Sequence, residues 1–221
     1  MKYLALTFLL FSMLFTSACG EDADLSLNVA WVFESGDCAS NNIETVLVTW
    51  GPDGNLDQEA EFACGDGGGY LGDTSSDGGR YGIGALGFDA DGIARVENLG
   101  KTVTFHDGGN GGVPIDITLR PKRADVEVTW NIEGSGPCPN IIMPYYVTIY
   151  NPPAEPGDPL TDKVTETSES CDTGEVTFPL ISPGDYVVRL DNRATIPSVQ
   201  ASEPFTVIAG ENTQVQIQIG Q

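Results

Sequence analysis

The feature of this sequence that most limits its fold is an alternating pattern that occurs twice. Apolar side chains occupy every second position across residues 27–33 and again across residues 126–132, and the third of them is a tryptophan in both runs, Trp31 and Trp130. Alternation with a period of two is typical of a β-strand that buries one face. A chain that repeats this strand together with its tryptophan is expected to contain two copies of one β unit.

The segments that follow each tryptophan also recur in the same order. Each half contains a cysteine, a strand, a second cysteine, a strand that opens with Gly-x-Tyr, a further strand and a closing alternating strand. The matched segments are Cys38 with Cys138, 46–50 with 146–150, Cys64 with Cys171, 79–86 with 184–190, 102–105 with 204–207, and 115–119 with 215–219. This order predicts two tandem domains, residues 25–121 and 124–220, joined at Pro121-Lys122-Arg123, with about seven short strands each.

The composition supports an all-β fold. The chain contains 27 Gly and 14 Pro, and its Val, Ile and Thr cluster in short alternating runs between turn signals. β-Branched residues favour strands, and regularly spaced turns are typical of sandwiches. Since no stretch has a helical period, the sequence predicts two tandem immunoglobulin-like or prealbumin-like β-sandwich domains.

The second half carries a motif that can be compared with a known family. The strand Val176-Thr177-Phe178 is followed by Ser-Pro-Gly-Asp-Tyr-Val-Val over residues 182–188. This order resembles the carboxypeptidase regulatory-like and transthyretin-like sandwiches, which include the Cna B-type repeats of bacterial surface proteins. The resemblance implies that Gly184 supplies an unusual backbone angle, that Tyr186 packs inward and that the module is non-catalytic.

The amino-terminal segment is typical of an export signal. Lys2 is followed by an apolar run over residues 3–15 and then by two small residues before Cys19. The run is too short for a membrane-spanning helix, which needs about 20 apolar residues. The arrangement resembles the signal peptide and lipobox of bacterial lipoproteins, with Thr16 standing where leucine is usual.

This resemblance implies that residues 1–18 are removed, that Cys19 is lipidated and that residues 19–24 form an acidic tether. Burial of acyl chains contributes about 0.8 kcal/mol for each CH₂, so several chains would anchor the protein permanently. Gly20 after the cysteine favours the outer membrane of a bacterial cell envelope, facing the periplasm or the surface. A cut by ordinary signal peptidase after Ala18 would instead give a soluble secreted protein.

Five cysteines are an odd number, which in an exported protein requires an explanation for the unpaired one. Lipidation of Cys19 leaves four, and export places them where disulfides form. Because the repeat makes Cys38 equivalent to Cys138 and Cys64 equivalent to Cys171, we expect the pairs Cys38–Cys64 and Cys138–Cys171. The chain has no Cys-x-x-Cys and a single histidine, which disfavours zinc.

The net charge of −22 limits the partners of the chain. Nucleic acids are disfavoured because their phosphates require Lys and Arg for neutralisation. A spread of acidic residues keeps a surface protein soluble, and it also attracts cations or basic partners. The sequence therefore predicts no nucleic-acid partner.

Catalytic and metal-binding patterns are sparse. The one histidine, His106, lies at the end of a predicted strand without a Gly-x-Ser-x-Gly motif, so we expect no catalytic residue and no enzyme. Asp89 and Asp91 resemble the opening of a calcium loop, but Gly100 stands where such a loop would place a bidentate glutamate. Both a weak calcium site and a solvated turn fit this segment, and no other cofactor is expected.

Together these features predict a lipid-anchored cell-envelope protein with a non-enzymatic interaction or spacer role. The alternative is a calcium- or carbohydrate-binding adhesin-like surface protein. A linker of three residues predicts that the two domains lie nearly end to end. The expected partners are the membrane, through the lipid, and an envelope protein or glycan, and the chain itself is expected to be a monomer.

Overall fold

The structure, a computed structural model, describes residues 25–74, 79–105, 114–132, 144–193 and 200–219. The described residues are almost entirely β-strands that pack face to face, and the predicted all-β, sandwich-like fold is confirmed. In this part of the chain there is no helix with the length and apolar character that crossing a bilayer requires.

The described residues of the first half form seven strands and a short 3₁₀ turn. These are β1 (Leu25–Phe33), β2 (Thr45–Pro52), β3 (Gln58–Ala63), the 3₁₀ turn (Cys64–Asp66), β4 (Gly68–Thr74), β5 (Gly79–Phe88), β6 (Ala94–Phe105) and β7 (Ile115–Pro121). They are hydrogen-bonded in the order β3-β2-β5-β6-β7-β1-β4. Neighbouring strands are antiparallel except β1 and β7, which are parallel.

The described residues of the second half form seven strands in a matching arrangement. These are β8 (Ala124–Ile132), β9 (Pro144–Tyr150), β10 (Lys163–Ser170), β11 (Glu175–Ile181), β12 (Gly184–Asp191), β13 (Gln200–Val207) and β14 (Thr213–Ile219). They form two sheets, β10-β9-β12-β13 and β11-β8-β14. The first and last strands, β8 and β14, are again parallel.

The buried apolar side chains fall into two clusters, one in each half, because each strand turns alternate residues to the inside of its own sandwich. Trp31 and Trp130 are 5% and 3% exposed and belong to the first and second cluster. Tyr186, expected to pack inward, is buried, and its hydroxyl donates a hydrogen bond to the Ser182 carbonyl oxygen at 2.9 Å. The expectation for Tyr186 is therefore confirmed.

In each half the tryptophan of the first strand is held by the turn that follows the second cysteine. The indole Nε1 of Trp31 donates to the carbonyl oxygen of Cys64 at 3.1 Å, and that of Trp130 donates to Cys171 at 3.2 Å. The backbone amide of each tryptophan donates to the glycine three residues after the cysteine, at 3.1 and 2.9 Å. These glycines have φ of 66° and 72°, a backbone conformation that favours glycine. The turn and the tryptophan form one unit that the sequence repeats.

One segment of the repeat is aligned differently by the structure. The sequence comparison matched Trp50 with Tyr150, but Trp50 pairs with Ile83 on β5, whereas Ile149 pairs with Val188 on β12. Ile83 and Val188 are equivalent positions, because each lies two residues after the tyrosine of a Gly-x-Tyr motif. Trp50 is therefore equivalent to Ile149. A shift of one residue exchanges the two faces of a strand, so the match made from the sequence is wrong by one position.

The directions of the first and last strands show where the chain enters and leaves each half. Because β1 and β7 are parallel, Leu25 and Pro121 lie at opposite ends of the first half. The second half begins at Ala124 and runs in the same way, with Ile132 paired to Ile219 at its far end. The chain therefore enters each half at one end and leaves it at the other.

Candidate functional site at the junction of the two halves

The structure tests one of the two predicted disulfides. Cys38 and Cys64 are bonded, with their Cα atoms 5.9 Å apart, and this pair is confirmed. Cys171 is disulfide-bonded as well, but its expected partner, Cys138, lies outside the described residues. The pair Cys138–Cys171 stays a prediction.

The predicted anchor is not among the residues that the structure describes. The signal peptide at 1–18, Cys19 and the tether at 19–24 all precede the first described residue. His106, for which no catalytic role is expected, also lies outside the described ranges. The expectations placed on these residues stay predictions.

Asp89 forms the centre of the turn between β5 and β6. Its Oδ1 accepts hydrogen bonds from the amides of Asp91 at 3.0 Å and Ile93 at 2.8 Å, and its Oδ2 accepts one from Arg95 Nε at 2.6 Å. The Asp89 residue is 5% exposed, and these donors favour its ionised form. The pKa of Asp89 lies below its usual value, chiefly because of the Ile93 amide and also because of Arg95.

These contacts bear on the candidate calcium residues. Both oxygens of Asp89 face hydrogen-bond donors, whereas a calcium ligand turns its oxygens toward the ion. Asp91 contributes its amide to this turn and its side chain is exposed. Within the described ranges, no group of three or more His, Cys, Asp or Glu residues is placed to hold a metal ion. The geometry makes Asp89 the anchor of a turn.

Arg95 connects this turn to the second half. Its Nη1 donates to the carbonyl oxygen of Ala209 at 3.0 Å and to the carboxylate of Glu211, both in the turn between β13 and β14. One guanidinium group therefore bridges a carboxylate of each half. The pKa of Arg95 is raised, chiefly by the hydrogen bond to Glu211 and then by that to Asp89.

The linker backbone completes this contact. The amide of Lys122 donates to the Arg95 carbonyl oxygen at 2.8 Å, and the amide of Gly210 donates to the Lys122 carbonyl oxygen at 3.2 Å. A Cβ at position 210 would overlap the carbonyl oxygen of Ala94, so only glycine fits there without movement of the two halves. We call the contact between residues 89–95, Lys122 and residues 209–211 the junction.

The neighbourhood of the junction is rich in basic residues. Four of the ten Lys and Arg residues of the chain lie at or beside it, and these are Arg95, Arg120, Lys122 and Arg123. Glu97 pairs with Arg120 across β6 and β7, and its Oε1 lies 3.8 Å from Arg123 Nε. Basic residues are thus concentrated at one place in a strongly acidic chain, together with the carboxylates of Asp89, Glu97 and Glu211.

The sequence analysis singled out Asp89 for a different reason and missed Arg95, Glu211 and Gly210. Arg95 and Glu211 are 116 positions apart, so no local pattern links them. The one usable signal is Asp89 itself, since an aspartate that opens a turn often bonds the backbone after it.

Comparisons with known proteins give weak likenesses. No family model and no curated protein sequence matches the chain. Among solved structures, the Bacillus anthracis TIE protein has 14% sequence identity and a TM-score of 0.37, over 90% of this chain and 34% of that protein. The chain thus spans about a third of that protein.

Two further structures are covered nearly whole. GBS52, the minor pilin of Streptococcus agalactiae, has 15% identity and a TM-score of 0.32, over 89% of this chain and 96% of that one. A Bacteroides thetaiotaomicron protein, described only provisionally as polysaccharide-binding, has 13% identity and a TM-score of 0.35, over 88% and 91%. Likeness at this level assigns neither a family nor a function to the chain.

Proposed function

We propose that the protein is a lipid-anchored spacer of the bacterial cell envelope, which holds a non-enzymatic interaction surface away from the membrane. Cys19 carries the lipid, residues 19–24 are the tether, and residues 25–121 and 124–220 are the two domains. The distal end of the second domain meets an envelope protein or a glycan. The chain acts as a monomer.

The observation that carries this proposal is the direction of the chain. Leu25 follows the tether at one end of the first half, and the second half is attached at the opposite end. A strand rises about 3.3 Å per residue, so the nine residues of β1 span roughly 30 Å and two halves in line span roughly 60 Å. Such an arrangement separates the far end from the anchor.

The junction supports the same role. A linker alone would let two domains rotate freely, whereas Arg95, Glu211 and the backbone of Lys122 fix one half against the other. An ion pair that is partly shielded from water contributes more than an exposed one, because solvent screens it less. A spacer with a fixed junction keeps its length better than two domains joined by a flexible linker.

Replacement of Cys19 by serine tests the anchor. The C19S variant is expected to move from the membrane fraction to the soluble fraction, since the acyl chains supply the membrane affinity. The matched control is C38S, which removes another cysteine and is expected to stay in the membrane fraction. A C19S protein that stays membrane-bound, or a C38S protein that leaves, contradicts the proposed anchor.

Small-angle X-ray scattering tests the spacer. The soluble C19S protein is expected to have an elongated pair-distance distribution that extends to at least roughly 60 Å. A distribution with the symmetric shape of a sphere would rule out the spacer role while leaving the anchor untouched.

A further inference from the structure

The loop between β9 and β10 is longer than its counterpart in the first half. Residues 151–162 connect β9 to β10, whereas residues 53–57 make the equivalent connection from β2 to β3. The shorter loop shows that this hairpin closes without the additional residues. Loops carry binding functions on a rigid scaffold, so the added length directs attention to this part of the second half.

In the first half the short loop packs directly on the sheet. Gly51 of β2 is paired with Gly82 of β5, and a Cβ at position 82 would come within 2.9 Å of the Cα of Gly54. The amide of Asp53 also donates to the Arg80 carbonyl oxygen at 2.6 Å. The absence of side chains at the two paired glycines lets the loop approach β5 closely.

The equivalent positions in the second half carry side chains. Tyr150 of β9 is paired with Val187 of β12, where the first half pairs Gly51 with Gly82. The loop cannot approach β12 as closely as its counterpart approaches β5, because side chains stand at both positions. The longer loop therefore lies differently over the sheet.

A hollow of about 330 Å³ lies between the longer loop and the sheet. It is lined by Pro152 of the loop, residues 185–187 of β12 and residues 204–206 of β13. The lining is mostly apolar, but the hydroxyl of Thr206 donates to the exposed carboxylate of Asp185 at 2.7 Å. A carboxylate accepts several hydrogen bonds, so Asp185 keeps the capacity to bind a ligand.

A second hollow, of about 300 Å³, lies within the loop itself. Pro152 lines both hollows, so they are adjacent. The second one is lined by three prolines and also by Asp158 and Asp162. At the base of the loop, Asn151 donates from its amide to the Asp162 carbonyl oxygen at 2.9 Å and from its side chain to the Asp162 carboxylate at 2.8 Å. These bonds and the prolines restrict the loop, which favours a pre-formed site.

The charge of the lining limits the ligand. Asp158, Asp162 and Asp185 line the two hollows, and among the described residues no Lys or Arg lines either of them. At the position of Asp185, between the glycine and the tyrosine of the repeated motif, the first half has Arg80. An anionic group is repelled by such a lining, whereas an ammonium or guanidinium group forms charge-assisted hydrogen bonds with it.

A basic side chain combines the two properties that the hollows require. Lys and Arg carry a cationic head on an apolar stem, and the stem packs on apolar surface while the head stays at the polar rim. The rings in the lining offer no open face on which a sugar could stack, since Tyr186 is buried and Phe205 is half-buried. We infer that the two hollows bind a basic segment of an envelope protein, with one Lys or Arg side chain in each.

This site is separate from the distal surface proposed above. Residues 204–206 lie near the end of β13, just before the turn at residues 209–211 that contacts the first half at the junction. A segment bound there lies against the side of the spacer and leaves the far end open to another partner. The inference therefore goes beyond the proposed function and does not depend on the anchor.

Nuclear magnetic resonance of the backbone amides tests the site in the purified full-length protein. The probe is tetralysine, titrated at about 0.15 M sodium chloride so that general attraction to the acidic surface is screened. Saturable shifts are expected in residues 151–162, 184–187 and 204–206. Shifts spread over the acidic surface of both halves, or no saturable shift, would contradict the inference.

A pair of charge variants tests the role of Asp185. Asp185→Asn removes the negative charge at nearly constant shape and is expected to weaken tetralysine binding about fivefold, since exposed ion pairs contribute modestly. Glu59→Gln makes the same charge change at an exposed position on β3 and should bind as the parent does. If both variants weaken binding equally, or neither does, tetralysine is not held at Asp185 and the assignment is wrong.

A pair of proline variants tests the shape of the hollows. Pro152 lines both of them, whereas Pro156, in the same loop, is not part of either lining. Pro152→Ala is expected to weaken binding several-fold and Pro156→Ala to leave it unchanged, with the amide spectra of β9 and β12 showing that each variant is folded. Equal effects of the two substitutions would overturn the placement of the ligand in the hollows.

Maltotetraose distinguishes a basic protein segment from a neutral glycan. It is expected to cause no saturable shift in the residues that respond to tetralysine. If maltotetraose binds in the hollows and tetralysine does not, the ligand is a glycan and the inference is wrong. None of these variants changes Cys19, so a failure here would leave the C19S result unaffected and the two proposals fail independently.

Discussion

In the first half, β6 departs from the register of its neighbour β5 twice, once around Leu99 and Gly100 and once at Arg95. In the second half, β12 and β13 stay in one register from Gly184 to Asp191. A bulge adds one residue to a strand, bends it and re-aims side chains. The two halves therefore differ in the strand that reaches the junction.

The bulges have two consequences. After the bend, the start of β6 pairs with the end of β7, so that both sheets of the first half become one. In the described part of the second half, β13 has no such pairing with β14 and the sheets stay separate. The second departure falls at Arg95, the residue that contacts the other half. The first half thus keeps the strand order of the second, while its bent strand β6 carries the arginine that contacts the other half.

The largest effect is expected at the buried tryptophan that both halves share. Trp31→Ala and Trp130→Ala each remove a buried indole and a hydrogen bond to a cysteine carbonyl, and each is expected to destabilise its own half by about 3–5 kcal/mol. Urea unfolding followed residue by residue should show one half affected at a time. Val32→Ala, at an exposed position beside Trp31, is the control and should have little effect. Equal loss in both halves from either variant would show that they do not unfold separately.

A smaller effect is expected at the bulge. Gly100 has φ of 97°, and alanine there is expected to cost about 1–2 kcal/mol and to speed amide exchange at Val96 and Glu97. Gly54 has φ of 84° and open space around it, so Gly54→Ala carries similar strain without touching β6. Unchanged exchange at Val96 in the Gly100 variant would mean that the bulge does not direct β6 onto β7.

At the junction, alanine substitutions at two glycines with nearly equal backbone angles distinguish the effect of backbone strain from the effect of a lost contact between the halves. Gly210 has φ of 73° and Gly92 has φ of 76°, so the backbone angle alone is expected to cost about 1 kcal/mol for alanine at either position. Only Gly210 lies against another residue, Ala94, and only Gly210→Ala is expected to separate the halves. Scattering should show a changed distance distribution for Gly210→Ala alone. The same change in both variants would attribute it to the backbone angle.

The smallest effect is a dependence on pH. Because the pKa of Asp89 is lowered in the folded protein, its contribution is complete above its ordinary value of 3.8 and is lost as the pH falls through the lowered pKa. Protection of the Ile93 amide against exchange, relative to its intrinsic rate at each pH, should therefore fall only in strong acid. In Asp89→Asn, this protection should be lower at neutral pH and lose its acid dependence. An unchanged acid dependence in that variant would assign it to another group.

The shared parts of the fold were predictable from the sequence. The strands around Trp31 and Trp130 and the Cys38–Cys64 bridge follow from alternation and from the repeat, which are local or symmetric signals. The inward position of Tyr186 follows from the resemblance to the transthyretin-like sandwiches. The match of Trp50 with Tyr150 failed because β-pairing depends on a partner strand, and two tyrosines in a row left the inward position of β9 undecided.

The alternating pattern by itself determined that the chain buries two equivalent cores, because a period of two leaves one face of each strand apolar wherever the strand lies. It could not determine how the halves meet. Arg95, Glu211 and Gly210 come together only after both halves have folded, and the bulges that aim Arg95 arise from the pairing of β5 with β6. The repeated elements are specified by short stretches of sequence, whereas the junction depends on residues more than a hundred positions apart.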